Sequence, residues 1–325
     1  MTRMTMVEAL RDGLRVAMAA DPTVICLGLD IGRLGGVFRV TKGLQQEFGM
    51  DRVVDTPLAE AAIIGAAIGL AVSGLRPVAE LQFLGFSHQG FHQIGAELGR
   101  FRQRSRGRFS VPVVIRAPCG GGIRSPEFHS DSLEAQFVQM PGIKVVMPAC
   151  PADAKGLLLT AIRDPDPVLF CEPDRLYRSA REEVPAGDHA VPFGVARQAR
   201  RGTDVTLIAW SAAVELCLRA AEALAAEEIS AQVLDLRTLV PLDTEAVVAA
   251  ARDTGRVVVV HEAPLTAGFG AEIAATIQEE AFASLDGPVR RVAAWDVPYP
   301  PGRMEDTYLP SVARVTAAAR AAVLD

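Results

Sequence analysis

Asp55-Thr56-Pro57-Leu58-Ala59-Glu60, running straight into Ala61-Ala-Ile-Ile-Gly65-Ala-Ala-Ile-Gly69-Leu-Ala-Val-Ser-Gly-Leu75, is the stretch on which the reading of this chain turns. It sets one carboxylate, Glu60, at the mouth of a helix that is otherwise small and apolar on every face. Such a carboxylate is unfavourable unless paired or used, because desolvation penalises its charged form. A first-turn glutamate also complements the helix dipole, and the local pattern does not separate the two readings. Gly65 and Gly69 fall on one face of the same helix. Each costs about 1 kcal/mol relative to alanine in a helix interior, so something must offset them. Small residues four apart let a second helix backbone approach closely, within the chain or between subunits.

Outward from this helix, short β-rich runs alternate with helical patterns, which argues for parallel sheets covered by helices. Strands are expected near Val24–Leu27, Pro77–Phe83, Val111–Arg116, Lys144–Met147 and Val168–Cys171. The intervening helices are expected near Met4–Ala19, Glu60–Ser73, Gln89–Gln103, Ser132–Gln139 and Ala152–Arg163. A polar, proline-bearing stretch from Arg181 to Gly202 breaks the rhythm and reads as a connection between domains. A second α/β series then restarts, with strands expected at Asp204–Trp210, Ser230–Leu236, Arg256–His261 and Val289–Ala294. Its helices are expected at Ala213–Ala226, Thr244–Arg252, Gly268–Phe282 and Ser311–Val323. The division is into residues 1–190 and 191–325.

A chain of 325 residues, 50% hydrophobic and 22% charged, has ample core for two ordinary domains. Its net charge of -6 argues against nucleic acid as a partner. Arg100, Arg102, Arg104, Arg106 and Arg108 form a local exception, a solvated face, an interface or an anion-binding edge. Only Phe101 and Phe109 interleave with them as stacking platforms. The five scattered cysteines show no CxxC pair and suit reduced thiols rather than a metal site. Met1–Met18 lacks the layout of a signal peptide, and Ala61–Val72 is too short to span a bilayer. The reading is a cytoplasmic protein with no membrane partner.

Gly28-Leu-Asp-Ile-Gly32-Arg-Leu-Gly35-Gly36 follows the first strand, but its spacing is not G-x-G-x-x-G and no helix pattern begins there, so it reads as a glycine-rich turn. His129 lies in a loop of glycine and hydroxyl residues between a strand and a helix, from Cys119 to Ser132, where active-site loops tend to occur. Imidazole exchanges protons near neutrality. A lone histidine is also often structural, and Asp131 and Ser132 read equally as helix caps. His88, His92 and His261 do not cluster with carboxylates in a metal-like pattern, and the chain has neither a GxSxG elbow nor a Walker loop.

Taken in order, several segments resemble the beta subunit of the thiamine-diphosphate-dependent decarboxylating component of 2-oxo acid dehydrogenase complexes, whose members act on pyruvate or branched-chain 2-oxo acids. They are Met4-Thr-Met-Val-Glu-Ala-Leu10, Gly35-Gly-Val-Phe-Arg-Val-Thr41, Asp55–Glu60, Glu80-Leu-Gln-Phe83 and His129-Ser-Asp-Ser132. Pro141-Gly-Ile-Lys-Val-Val146, Asp153-Ala-Lys-Gly-Leu157, Leu234-Asp-Leu-Arg237 and Pro298-Tyr-Pro300 continue the match nearly to the end. The resemblance implies an N-terminal parallel-sheet domain that binds the cofactor's pyrimidine and a C-terminal α/β domain like that of transketolase. It implies an α2β2 heterotetramer in which a separate alpha subunit holds diphosphate and Mg2+ through a Gly-Asp-Gly…Asn motif. This chain has no Gly-Asp-Gly. It would then carry half of a cofactor site and be inert alone.

By the same resemblance, Glu60 hydrogen-bonds the N1′ nitrogen of the aminopyrimidine and favours its imino tautomer, and so must be able to carry a proton near neutral pH. His129 assists substrate handling and acyl transfer to the lipoyl arm of the acyltransferase core. Phe86 stands beside the pyrimidine, with Leu58 and Gln82 lining the same pocket. Potassium is implied at carbonyls of Val111, Val113, Val114, Ala161, Asp164 and Asp166. Gly65 and Gly69 match an inter-subunit helix contact, and Asp296 with the carboxylate of Asp325 matches a docking region for the acyltransferase core. Two departures stand out. Leu29 replaces an acid thought to carry protons between paired active sites, and His92 replaces a common aspartate. Leu29 leaves room for a catalytically silent scaffold of the same fold, and another ketol-transferring thiamine enzyme is the remaining alternative.

Overall fold

A computed structural model of the chain describes residues 1–324. The N-terminal sheet has seven strands in the spatial order Thr238–Val240, Lys144–Val146, Val168–Pro173, Val114–Cys119, Arg76–Glu80, Val24–Gly28 and Val53–Asp55. All neighbours are parallel except the first pair. The second sheet has five strands, in the order Arg290–Ala294, Val257–Pro264, Val205–Ala209, Ala231–Asp235 and Arg197–Arg200, with only the last antiparallel to its neighbour. Thr2–Met4 and Glu182–Val184 make a separate antiparallel pair.

Parallel strands are near-continuous apolar runs because helices cover both faces. Val24–Gly28, Val114–Cys119 and Val168–Pro173 are buried at every position. On one face pack the Met6–Ala20 and Pro151–Arg163 helices, through Leu10, Leu14, Leu157 and Leu158. The first of these begins at a Thr5/Glu8 capping box, in which each residue satisfies a backbone donor of the other. On the other face lies the Glu60–Val72 helix, through Ile63, Ile64, Ala67 and Ile68. That core runs on without a break through Trp210, Leu236 and Val247 under the second sheet.

The strands and helices fall where the alternation places them, with instructive differences. The expected Gln89–Gln103 helix is broken into Leu84–Gly90, Gln93–Glu97, Leu98–Arg100 and Phe101–Arg104, of which the second is a π-turn and the last alone an α-helix. Its glycines serve close packing: a Cβ on Gly90, Gly95 or Gly99 would stand 2.4 Å from Ile64, 2.9 Å from Met140 or 3.0 Å from Pro141. The strand expected from Val111 begins at Val114, because Pro112 offers no N–H to a ladder. The helix expected from Ser132 is only Glu134–Val138, and neither Asp131 nor Ser132 caps it. Five short strands, including Thr238–Val240, were not anticipated.

Candidate active site

Ala59 precedes the Glu60–Val72 helix and provides no side-chain cap, so Glu60 is its first residue. Glu60 is 2% exposed, and its Oε2 is buried without a hydrogen-bond partner. A buried carboxylate oxygen left unpaired by its own chain calls for an explanation. Two glycines bring further groups to it. Gly90 seats the Leu84–Gly90 turn on the first turn of the helix, since its Cβ would lie 3.5 Å from the Glu60 carbonyl oxygen as well as against Ile64. Gly85 seats the opposite side of that turn on the His129 loop, where a Cβ would stand 2.0 Å from the Phe128 carbonyl oxygen.

The turn carries Phe86, whose ring centroid lies 5.1 Å from that of His129, and Phe83 approaches the same imidazole to 4.5 Å, both edge to face. His129 ends the Glu127–His129 turn and donates its backbone N–H to Pro126. Its Nδ1 is a second buried polar atom without a partner. Gln82 is half-buried just before Phe83, whereas Leu58 is 64% exposed. Phe128 is likewise 54% exposed. Apolar side chains thus stand open beside both candidate catalytic residues.

Beneath the aromatic pair lies an ionic network that the motif reading did not use. Phe38 stacks edgewise on Phe83 and contacts Tyr177, and the Tyr177 hydroxyl donates to Glu172 at 2.6 Å. Arg116 grips both Glu172 oxygens and one Glu80 oxygen at 2.7 Å each. Burial works against the Arg116 charge, but Glu172 and then Glu80 outweigh it and hold the guanidinium above its ordinary pKa. Burial raises Glu80 despite Arg116, and burial followed by Glu172 raises Tyr177. The legible signal is a charge inside an apolar strand, as in Val114-Ile-Arg116-Ala and Phe170-Cys-Glu172.

A second set of acids lies where the two sheets meet. Trp210 Nε1 donates to Glu134 at 3.2 Å, while Glu134 Oε2 and both Asp174 oxygens are buried without partners. Burial pushes Glu134 up to about 7, and burial followed by the nearby Glu262 pushes Asp174 up to about 9.

Of the positions assigned to potassium, Val113 and Val114 lie beside Val168: Val114 pairs with it and Val113 accepts its N–H. Several of their polar groups are engaged. The carbonyls of Val111 and Ala161 accept backbone N–H groups, Arg76 donates to the Asp164 carbonyl at 3.3 Å, and Lys144 holds the Asp164 carboxylate at 2.6 and 2.7 Å. Gly65 and Gly69 are exposed, with nothing within 4 Å of where a Cβ would be, so packing within the chain does not account for them. Asp296 accepts the Thr266 N–H at 2.9 Å and its hydroxyl at 2.7 Å, contacts that hold its carboxyl below the usual range. Trp295 and Val297 beside it are 52% and 54% exposed. Asp325 lies outside the described residues. Leu29 is half-buried at the end of the first parallel strand, and His92 is exposed.

A parallel sheet that orients a buried glutamate beneath an aromatic turn, followed by a second α/β unit, defines a transketolase-type chain. The transketolase pyrimidine-binding domain family matches residues 2–180, and the transketolase C-terminal domain family matches residues 194–315. The chain is 48% identical to the pyruvate dehydrogenase E1 component subunit beta of Bacillus subtilis, over 98% of each sequence. It is 49% identical to the protein of that name from Staphylococcus epidermidis, over 96% of each. Among solved structures it superposes on a split-gene transketolase, described as an inactive beta4 tetramer, with a TM-score of 0.81, 26% identity and 99% coverage of both chains. A mutant transketolase from Pichia stipitis shares the fold, with a TM-score of 0.69 at 13% identity, over all of this chain and 46% of that one. The chain therefore belongs to the family of beta subunits of the thiamine-diphosphate-dependent 2-oxo acid dehydrogenase E1 component.

Proposed function

We propose that this chain supplies the pyrimidine-binding half of a thiamine diphosphate site and works in oxidative decarboxylation of pyruvate, the substrate in the names of its relatives. The observation that carries the reading is the buried, unpartnered Glu60 Oε2 at the start of an apolar helix. That oxygen fits the protonated ring nitrogen of an aminopyrimidine. When bound, thiamine diphosphate supplies the electron sink for loss of carbon dioxide. Glu60 then holds and returns a proton at the ring nitrogen. Phe86, packed edge to face on His129, presents a ring to a planar ligand. His129, with Nδ1 unpartnered, moves a proton on the substrate side during acyl transfer to a lipoyl group.

The rest of the assembly follows from what the chain lacks. An alpha subunit bearing Gly-Asp-Gly…Asn would hold diphosphate and Mg2+, seated on the exposed Leu58 and Phe128 side. Gln82 lines the pocket, and Leu58 joins it once covered. Gly65 and Gly69 meet a helix of another subunit, and Asp296 takes part in docking to a lipoyl acyltransferase core. Potassium, if held, would use carbonyls of Val111, Val113, Val114, Ala161, Asp164 and Asp166. The division near residue 190 and a cytoplasmic location belong to the same reading. Among the described residues no helix is long and apolar enough to cross a membrane.

The test is Glu60→Gln in the assembled α2β2 enzyme. The variant should assemble and keep its thermal unfolding midpoint while losing at least about 99% of turnover, in line with removal of a general acid–base group. Undiminished turnover removes the assignment.

A further inference from the structure

The loop that carries His129 is held by the C-terminal domain, through groups for which the aromatic turn and Glu60 give no reason. Glu305 begins the Glu305–Tyr308 helix, is 1% exposed, and accepts the Arg124 backbone N–H on both oxygens at 3.3 and 3.2 Å. It also accepts the Tyr299 hydroxyl at 2.5 Å. Among the described residues it has no ion pair, so a fully buried carboxylate is satisfied by one amide and one phenol. That is an unfavourable arrangement for stability alone, where an apolar residue or a salt-bridged acid serves better.

Its contacts fall on the strained part of the loop. Arg124 has a φ of 56°, a left-handed conformation uncommon outside glycine. Gly302 packs on the same residue, since its Cβ would stand 3.0 Å from the Arg124 carbonyl oxygen. Gly121 runs directly over the Tyr299 hydroxyl, where a Cβ would be 2.1 Å away. Ser130, which neighbours His129 in sequence, is 1% exposed and shares a 3.1 Å hydrogen bond with Ser125. Glu262 adds a grip on the same glycine, accepting the Gly121 N–H at 3.3 Å.

We propose that Glu305, acting through Tyr299 and the Arg124 amide, is a positioning residue that sets His129 from the C-terminal domain. This rests on the reading of His129 as a group used in acyl transfer. The C-terminal domain then has a part in the reaction without touching substrate. Displacements of about 1 Å at a reacting group can lower rates about a hundredfold, and loss of a single hydroxyl in the chain of contacts should produce a part of that.

The test uses the assembled enzyme with its lipoyl-bearing partner and the variants Tyr299→Phe, Glu305→Ala, His129→Ala and the Tyr299→Phe/His129→Ala pair. Tyr299→Phe keeps the ring and serves where Glu305→Ala fails to fold. Tyr299→Phe should slow lipoyl acylation roughly tenfold, yet leave the residual rate of the His129→Ala enzyme unchanged, because both act through one group. Amide exchange in residues 120–132 should quicken in Tyr299→Phe while the Glu60–Val72 helix stays protected. Multiplicative losses in the pair, or unchanged exchange in the loop, overturn the positioning role while leaving His129 its function. Full lipoyl acylation by His129→Ala removes the reading of His129, and this inference with it.

Discussion

Asp174 shows at a single residue what the joint between the sheets tolerates. Both carboxylate oxygens are buried without a partner, and its pKa is pushed up to about 9 from 3.8 by burial and then by Glu262. Glu134 is shifted in the same direction, to about 7 from 4.5. A carboxyl that binds its proton more tightly in the folded state gives stability that is full below its unfolded pKa. That stability is lost as the pH rises towards the folded pKa. Asp174→Asn should therefore stabilise the chain, with little effect near about pH 4 and a gain of roughly 1–3 kcal/mol at alkaline pH. Thermal unfolding of the two proteins across that range reads it, and a gain that shrinks with rising pH contradicts the assignment. Residues of this kind separate what could be read from what could not. Glu60 was legible because a carboxylate beside a wholly apolar helix stands out in one dimension, and His129 because its loop is glycine- and hydroxyl-rich. Glu134, Asp174 and Glu305 look like ordinary helix-start acids until the two domains close over them.

The Glu60–Val72 helix carries the next prediction. Its buried face, Ile63, Ile64, Ala67 and Ile68, is packed on the sheet, while Ala62, Gly65, Ala66 and Gly69 face outward. With open space around the Gly65 Cβ position, Gly65→Leu should leave the isolated chain as stable as before or firmer by up to about 1 kcal/mol, from helix propensity alone. The same change should lower the mass of the assembled particle in light scattering, because the added side chain holds a partner backbone away. A destabilised chain with unaltered assembly would mean that this glycine face packs within the chain and not on a partner. The existence of this helix was plain from its composition. The segment after it was not, because Gly90, Gly95 and Gly99 read as a tolerable pattern in a helix, and only the neighbours they touch explain why it breaks there.

At the scale of the molecule, the two sheets are joined rather than merely linked. Thr238–Val240 leaves the second half to pair with Lys144–Val146, and Asp153 takes Arg237 at 2.7 and 3.0 Å and Arg197 at 3.2 Å. Removing Asp153 takes away the carboxylate partner of Arg237 and leaves Arg197 to Asp235 alone. Asp153→Ala should destabilise the chain by on the order of 3 kcal/mol in denaturant unfolding. A loss under about 0.5 kcal/mol, the usual bound for surface changes, would mean that this joint contributes little. The alternation of strands and helices made two α/β units legible. Their joint was not, because a three-residue strand carries no periodicity and the pairing of Asp153 with Arg197 and Arg237 spans distant segments.

If this chain is half of a thiamine diphosphate enzyme, reconstitution shows it. The purified chain is assayed for pyruvate decarboxylation with thiamine diphosphate and Mg2+, first alone and then with the alpha subunit from the same cells. No turnover is expected from the chain alone, and cofactor-dependent turnover, abolished by Glu60→Gln, is expected on mixing. Turnover by the chain alone, or an assembled complex that stays inactive with cofactor and pyruvate or a branched-chain 2-oxo acid, would contradict this reading.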